Sequence, residues 1–297
     1  MNGKFNPAIR IILTWLLSFT IVAIFALVLN LLGLFDDLQT NRTLTLSVNV
    51  LLAIISISAI AFMFKKVDKV GIKYIGLTVS RKDTLFTVVA FVVTLSICFS
   101  FVWILRLLDV VQSSVNSDYL TSPKFYGIVL LSLIGWIFAA SHEEFLARGY
   151  VMRNLSGLRP IHIILISSLF FMAMHFPTRG INPYQSLSWL LGGLTYGYIY
   201  LKSGSLTVST IVHASHNLIN DMALYNISNL SLFRLSDSVS LADKSVYEAV
   251  LCVFLLLLTY LFYGRNGLFT PSENLMRFWV RKDSVQRPQN TAKITIS

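Results

Sequence analysis

The stretch from Phe125 to Leu155 reads FYGIVLLSLIGWIFAASHEEFLARGYVMRNL. As far as Ser141 it holds no Asp, Glu, Lys or Arg, as a helix in hydrocarbon requires. Glu143 and Glu144 then follow almost at once, and Arg148 comes four residues after Glu144. Phe145, Leu146, Tyr150, Val151 and Met152 remain apolar enough to keep the chain in the membrane. An ionisable group at that depth costs a few kcal/mol or more, so such groups carry partners or a function. With the acid N-terminal, Glu144 and Arg148 have the favourable spacing for an intrahelical ion pair. Glu143 is the carboxylate left over. A carboxylate in apolar surroundings takes up a proton more readily than one in water, which suits a general base near neutral pH. The competing reading is that Glu143 merely ends its span at the interface.

The rest of the chain supports a membrane setting. Of its 297 residues 55% are apolar and only 13% charged, and the mean hydropathy is +0.69. A spanning helix needs about 20 mostly apolar residues. Ile11 to Phe35, Thr43 to Phe64, Thr84 to Leu105 and Ala249 to Gly264 are clean runs of this kind. Phe125 to Ser141, Ile161 to Phe176, Pro183 to Leu201 and Ser205 to Asn220 are shorter or more polar. The expected fold class is therefore all-α: a polytopic membrane helix bundle of about eight transmembrane helices.

With eight spans, eighteen of the 24 Lys and Arg fall on the side of the termini, so the positive-inside rule puts both termini in the cytoplasm. The net charge of +10 follows that edge, which implies contact with anionic lipids and no nucleic acid. The first span is too long for a signal-peptide core and is read as retained. Cys98 and Cys252 lie inside spans, read as packing residues with no disulfide framework. The chain is read as one membrane domain, 1–297, with a catalytic core at 125–220 and a cytoplasmic tail at 265–297. In the tail, Thr270-Pro271-Ser272-Glu273 reads as a helix start with Thr270 at the cap. Leu275, Met276 and Trp279 would then face the interface beside Arg277, Arg281 and Lys282. The loop from Asp221 to Lys244 is polar and external, with no readable role, and Glu248 is read as an interfacial residue.

Five histidines complete the inventory. His142 and His162 sit beside helix ends, where histidine is unremarkable. His175 lies well inside its span, and His213 and Asn217 are four apart on one helical face, with His216 close to that face. A lone intramembrane His is more often a helix-to-helix hydrogen bond than a catalyst, but depth brings several together. If the fourth helix runs to about Leu155, Glu143 stands about 18 Å above its inner end. His175, His213 and Asn217 stand about 22, 12 and 18 Å above theirs. The convergence requires a long fourth helix that continues past Arg148.

In order and approximate spacing, Glu143-Glu144-x-x-x-Arg148, Phe171-x-x-x-His175 and His213-x-x-x-Asn217 resemble the three motifs of the CPBP (Abi) family of intramembrane proteases. That family includes the CAAX prenyl endopeptidases and bacterial proteins linked to bacteriocin processing and self-immunity. The resemblance implies that Glu143 and His175 activate the water that attacks a peptide carbonyl. It implies that His213 with Asn217 stabilises the oxyanion, and that Glu144 and Arg148 support the site. No metal is expected to be required; if zinc takes part, Glu143, His175 and His213 are its ligands, although no His-Glu-x-x-His pair is present. The implied substrate is a peptide or lipidated protein within the membrane: a prenylated CAAX-type tail, or a bacteriocin or pheromone leader. The expected location is a bacterial plasma membrane. Two other classes compete. One is a proton-coupled transporter, in which Glu and His form a relay, though Gly192-Gly193 has no matching partner in another span. The other is a non-catalytic immunity or regulatory membrane protein.

Overall fold

The computed structural model describes residues 6–34, 36–224, 232–235 and 239–279. Its principal helices are α1 (Pro7–Leu31), α2 (Arg42–Phe62), α3 (Arg81–Leu107), α4 (Pro123–Glu144), α5 (Pro160–Ala173), α6 (Pro183–Ser203), α7 (Leu206–Ala223), α8 (Leu241–Tyr263) and a short α9 (Glu273–Trp279). Six segments are long and apolar enough to cross a bilayer: those built on α1 to α5 and on α8. The protein is an integral, multi-pass helical membrane protein. The other two expected spans, α6 and α7, have 21 and 18 residues but are more polar. Their place in the bundle explains this. α7 is walled by α3, α4 and α6, and α6 lies between α5 and α8, so their polar side chains face protein and not lipid. Outward faces elsewhere are apolar, as at Leu31, Trp103, Leu130 and Leu261.

α4 does not stop where the charge-free run stops. It continues from Glu144 through a π-helical segment, Phe145–Met152, and the helix ends only after Asn154. This is the long fourth helix that the depth argument requires. Wide π turns inside α-helices are frequent at functional sites.

Two glycines set the packing of the centre. A Cβ at Gly193 would lie 2.8 Å from Ser168 Cα and 3.1 Å from Ser168 O, so α6 and α5 touch backbone to backbone there. Gly204, at φ +70°, caps α6 in the left-handed region and leads into Ser205, whose hydroxyl caps α7 by accepting from Val208 N–H. The α6–α7 connection is consequently tight enough to hold the two polar helices side by side.

Three details depart from the sequence reading. Arg10 lies within α1, buried, and pairs with Asp68 beyond α2. The tail helix starts at Glu273 with Ser272 as its cap, Ser272 Oγ accepting from Leu275 N–H at 3.2 Å. Thr270 does not cap because Lys202 Nζ donates to Gly267 O at 2.8 Å and Thr270 O at 2.9 Å, holding that segment along the end of α6. Leu275 is fully buried against the bundle, whereas Met276 is exposed; Arg281 and Lys282 lie outside the described residues. Finally, a two-stranded antiparallel ribbon joins β1 (Ser113–Val115) to β2 (Phe233–Leu235), which anchors the described part of the 221–244 loop. Cys98 and Cys252 are free and buried.

Any side chain at position 193 forces α5 and α6 apart. Gly193→Val is expected to destabilise the protein by about 1–3 kcal/mol, seen as a lower Tm in detergent. Gly127→Ala, where a Cβ meets nothing within 4 Å, is the control and should leave Tm in place.

Candidate active site

Glu144 occupies the last position of regular α4 and is completely buried. Its Oε1 lies 3.1 Å from Arg148 Nη1 and 3.0 Å from His213 Nδ1. Its Oε2 accepts from Ser209 Oγ at 2.6 Å. The ion pair read from the i, i+4 spacing is present, and it joins α7 through two further contacts. Arg148 in turn donates from Nη2 to Gly193 O at 3.0 Å. Its guanidinium lies over the rings of Phe171, 4.4 Å away, and Tyr196, 5.6 Å away. One buried charge pair thereby touches α4, α5, α6 and α7.

Glu143, next in the chain, is turned to a different environment. Its side chain is 23% exposed, and Oε2 lies 3.8 Å from His213 Nε2 and 3.9 Å from His175 Nε2. The protonation pattern follows from what holds the far side of each imidazole. His175 Nδ1 lies 2.7 Å from Phe171 O, a carbonyl that can only accept, so Nδ1 carries the hydrogen. That carbonyl is released because α5 ends at Ala173, ahead of Pro177, which cannot continue the ladder. His175 is therefore at a helix break and not deep in an unbroken span as its sequence position suggested. His213 Nδ1 faces the Glu144 carboxylate, which is already neutralised by Arg148, so this nitrogen too is the donor. In their neutral forms both rings present an Nε2 lone pair towards Glu143.

Three acceptors thus converge at separations too long for direct hydrogen bonds. A water molecule placed between them could donate to two of the three at once. The ring planes are held in place: His175 stacks on Trp189 at 4.8 Å and 17°, and His213 stacks on Tyr196 at 4.2 Å and 15°.

The remaining candidates separate. Asn217 lies one turn beyond His213 on α7, half-buried, and its side chain makes no hydrogen bond among the described residues. His216 turns away from Glu143; its Nδ1 meets Tyr196 Oη at 2.5 Å and its Nε2 lies 3.1 Å from Glu248 Oε1. Glu248 is consequently a partner inside the bundle and not an interfacial residue. His162 is exposed at the start of α5. His142 is half-buried beside Glu143. As for a metal, no group of three or more His, Cys, Asp or Glu among the described residues is gathered closely enough to hold one. Glu143, His175 and His213 have suitable donor atoms for a metal, each imidazole Nε2 standing 3.8–3.9 Å from the Glu143 carboxylate oxygen.

Sequence reasoning missed Ser209 and Tyr196. Ser209 is one turn before His213 on the same face, so the periodicity that paired His213 with Asn217 could have found it. Tyr196 left no signal in its apolar, aromatic surroundings. Removing Arg148 should expose how much the site depends on charge balance. Arg148→Met is expected to cost about 3–5 kcal/mol by leaving Glu144 buried and unpaired. Adding Glu144→Gln should recover part of the loss, as read by denaturation in detergent.

A protein of Mycoplasma capricolum subsp. capricolum described as uncharacterized is 24% identical over 210 residues, 66% of this chain and 61% of its own length. The chain thus spans about three fifths of that relative. No solved structure matches. The family model that matches is that of Rce1-like type II CAAX prenyl endopeptidases, over residues 125–219. The segment that carries all three motifs is thus the one that matches the Rce1-like type II CAAX prenyl endopeptidase family.

Proposed function

We propose that this protein is an intramembrane endopeptidase in which Glu143, aided by His175, activates a water molecule to hydrolyse a peptide bond. The observation that carries the reading is the convergence of the Glu143 carboxylate and two imidazole Nε2 atoms on one point, 3.8 and 3.9 Å from Glu143 Oε2. Water donates one hydrogen to Glu143 and one to His175. As its oxygen attacks the carbonyl carbon, the proton passes to Glu143 and the carbonyl oxygen becomes an oxyanion. The free amide of Asn217 donates to that oxyanion. His213 joins it when its Nε2 carries a proton taken from solvent before the attack and kept through the cycle, its Nδ1–H held by Glu144. Glu143 then returns its proton to the departing amine, the C–N bond breaks, and a carboxylic acid and an amine leave. No step requires a metal.

The substrate class follows from the family's prenyl endopeptidase activity: the C-terminal peptide of a lipidated, membrane-anchored protein. The half-open side chain of Glu143, in contrast to sealed Glu144, gives such a peptide access. The inside-positive charge bias supports cytoplasmic termini in a bacterial plasma membrane.

Glu143→Gln keeps the shape of the side chain and removes the base. It is expected to lower kcat on a prenylated CAAX-type peptide by roughly 10²–10⁴-fold with Tm unchanged; cleavage at the parent rate would sink the mechanism. Activity should also survive dialysis against EDTA or phenanthroline, and a loss restored by added zinc would put a metal at Glu143, His175 and His213.

A further inference from the structure

A second polar chain lies behind the candidate active site, and none of the three motifs includes it. Tyr196 on α6 stacks face to face on the His213 imidazole. Its hydroxyl lies 2.5 Å from His216 Nδ1 on α7. His216 Nε2 lies 3.1 Å from Glu248 Oε1 on α8, and Asn220 Nδ2 donates to the same carboxylate oxygen at 3.2 Å. Tyr196, His216 and Asn220 are buried, and Glu248 nearly so. The Asn220 amide nitrogen also lies 2.8 Å from His216 Nε2; with Glu248 ionised and Nε2–H donating to it, Nδ1 accepts from the tyrosine.

His213 has one hydrogen-bonded anchor, Glu144 at Nδ1. A single hydrogen bond leaves a ring free to rock about the Cβ–Cγ bond, and rocking swings Nε2 away from Glu143. A face-stacked neighbour stops that motion only if the neighbour is itself fixed. Tyr196 is fixed at both ends. Its backbone carbonyl accepts from Ser209 Oγ at 3.1 Å, and its hydroxyl is tied through His216 to Glu248.

We propose that Glu248, His216 and Tyr196 form a positioning relay that sets the plane of His213, so that a carboxylate on α8, beyond the matched residues 125–219, acts on the active site. As a consequence for catalysis, this inference rests on the peptidase reading above; as a statement about the His213 ring it does not.

The two are tested apart. In detergent-solubilised full-length protein labelled with 15N-histidine, the His213 ring resonances are assigned by their loss in His213→Gln. Glu248→Gln and Tyr196→Phe should each shift them, and the double variant should shift them no further than the larger single change. In cleavage of a prenylated CAAX-type peptide, each single variant should lose roughly 3- to 10-fold in kcat with KM within about 2-fold, again without additivity. Tyr196→Leu, which removes the ring as well, should lose more than Tyr196→Phe. His213 resonances unmoved by Glu248→Gln, additive losses in the double variant, or a raised KM with kcat intact would each overturn the relay. A parent protein that cleaves no such peptide defeats the peptidase reading, and the resonances still decide the relay.

Discussion

A carboxylate removed wholly from water is tolerated only when its charge is balanced and its lone pairs are used. Glu144 meets that requirement with three partners from two helices: Arg148, His213 and Ser209. Each of these does something further as a result. Arg148 reaches Gly193 O on α6, Ser209 holds the Tyr196 carbonyl, and His213 has its hydrogen pinned on Nδ1 so that Nε2 looks towards Glu143. The neighbour of a sealed anion is thereby left partly open, with two imidazole nitrogens facing it. Two identical side chains, adjacent in sequence and about 100° apart around a helix, receive opposite environments.

Such an arrangement needs polar helices in the middle of a membrane protein, and packing makes that affordable. α6 and α7 carry serines, threonines, tyrosines and histidines that lipid would not accept, and the other helices enclose them. Gly193 brings α6 onto α5 at backbone distance, which puts the Phe171 and Tyr196 rings against the Arg148 guanidinium. The cation is desolvated against aromatic faces and not simply buried among aliphatic groups.

Much of this was legible in the residues because it is local. The Glu144–Arg148 pair follows from helical spacing, and the continuation of α4 follows from the need to bring Glu143 level with His175. What stayed hidden depends on contacts distant in sequence. Glu248 looks interfacial until His216 is seen beside it. Thr270 looks like a cap until Lys202 takes its carbonyl. The break at His175 is an intermediate case: Pro177 is its local cause, but the stretch from Ile161 to Phe176 read as an unbroken span. The substrate is not legible in either form, since a cavity of acceptors specifies water and a carbonyl but no particular peptide.

The early end of α5 also bears on how the chain crosses the bilayer. Its 14 helical residues rise about 21 Å, against roughly 30 Å of hydrocarbon. Beyond Ala173 a turn at Met174 and His175 leads into a second short helix, Phe176–Arg179, so the 20-residue segment is broken and not one continuous rod. At the break the Phe171 carbonyl is met by a side chain and not by the helical ladder, and backbone outside a regular helix stands at membrane depth only where protein or water satisfies it. The break that frees the Phe171 carbonyl for His175 thus also puts a polar kink, in place of a continuous helical face, beside Glu143.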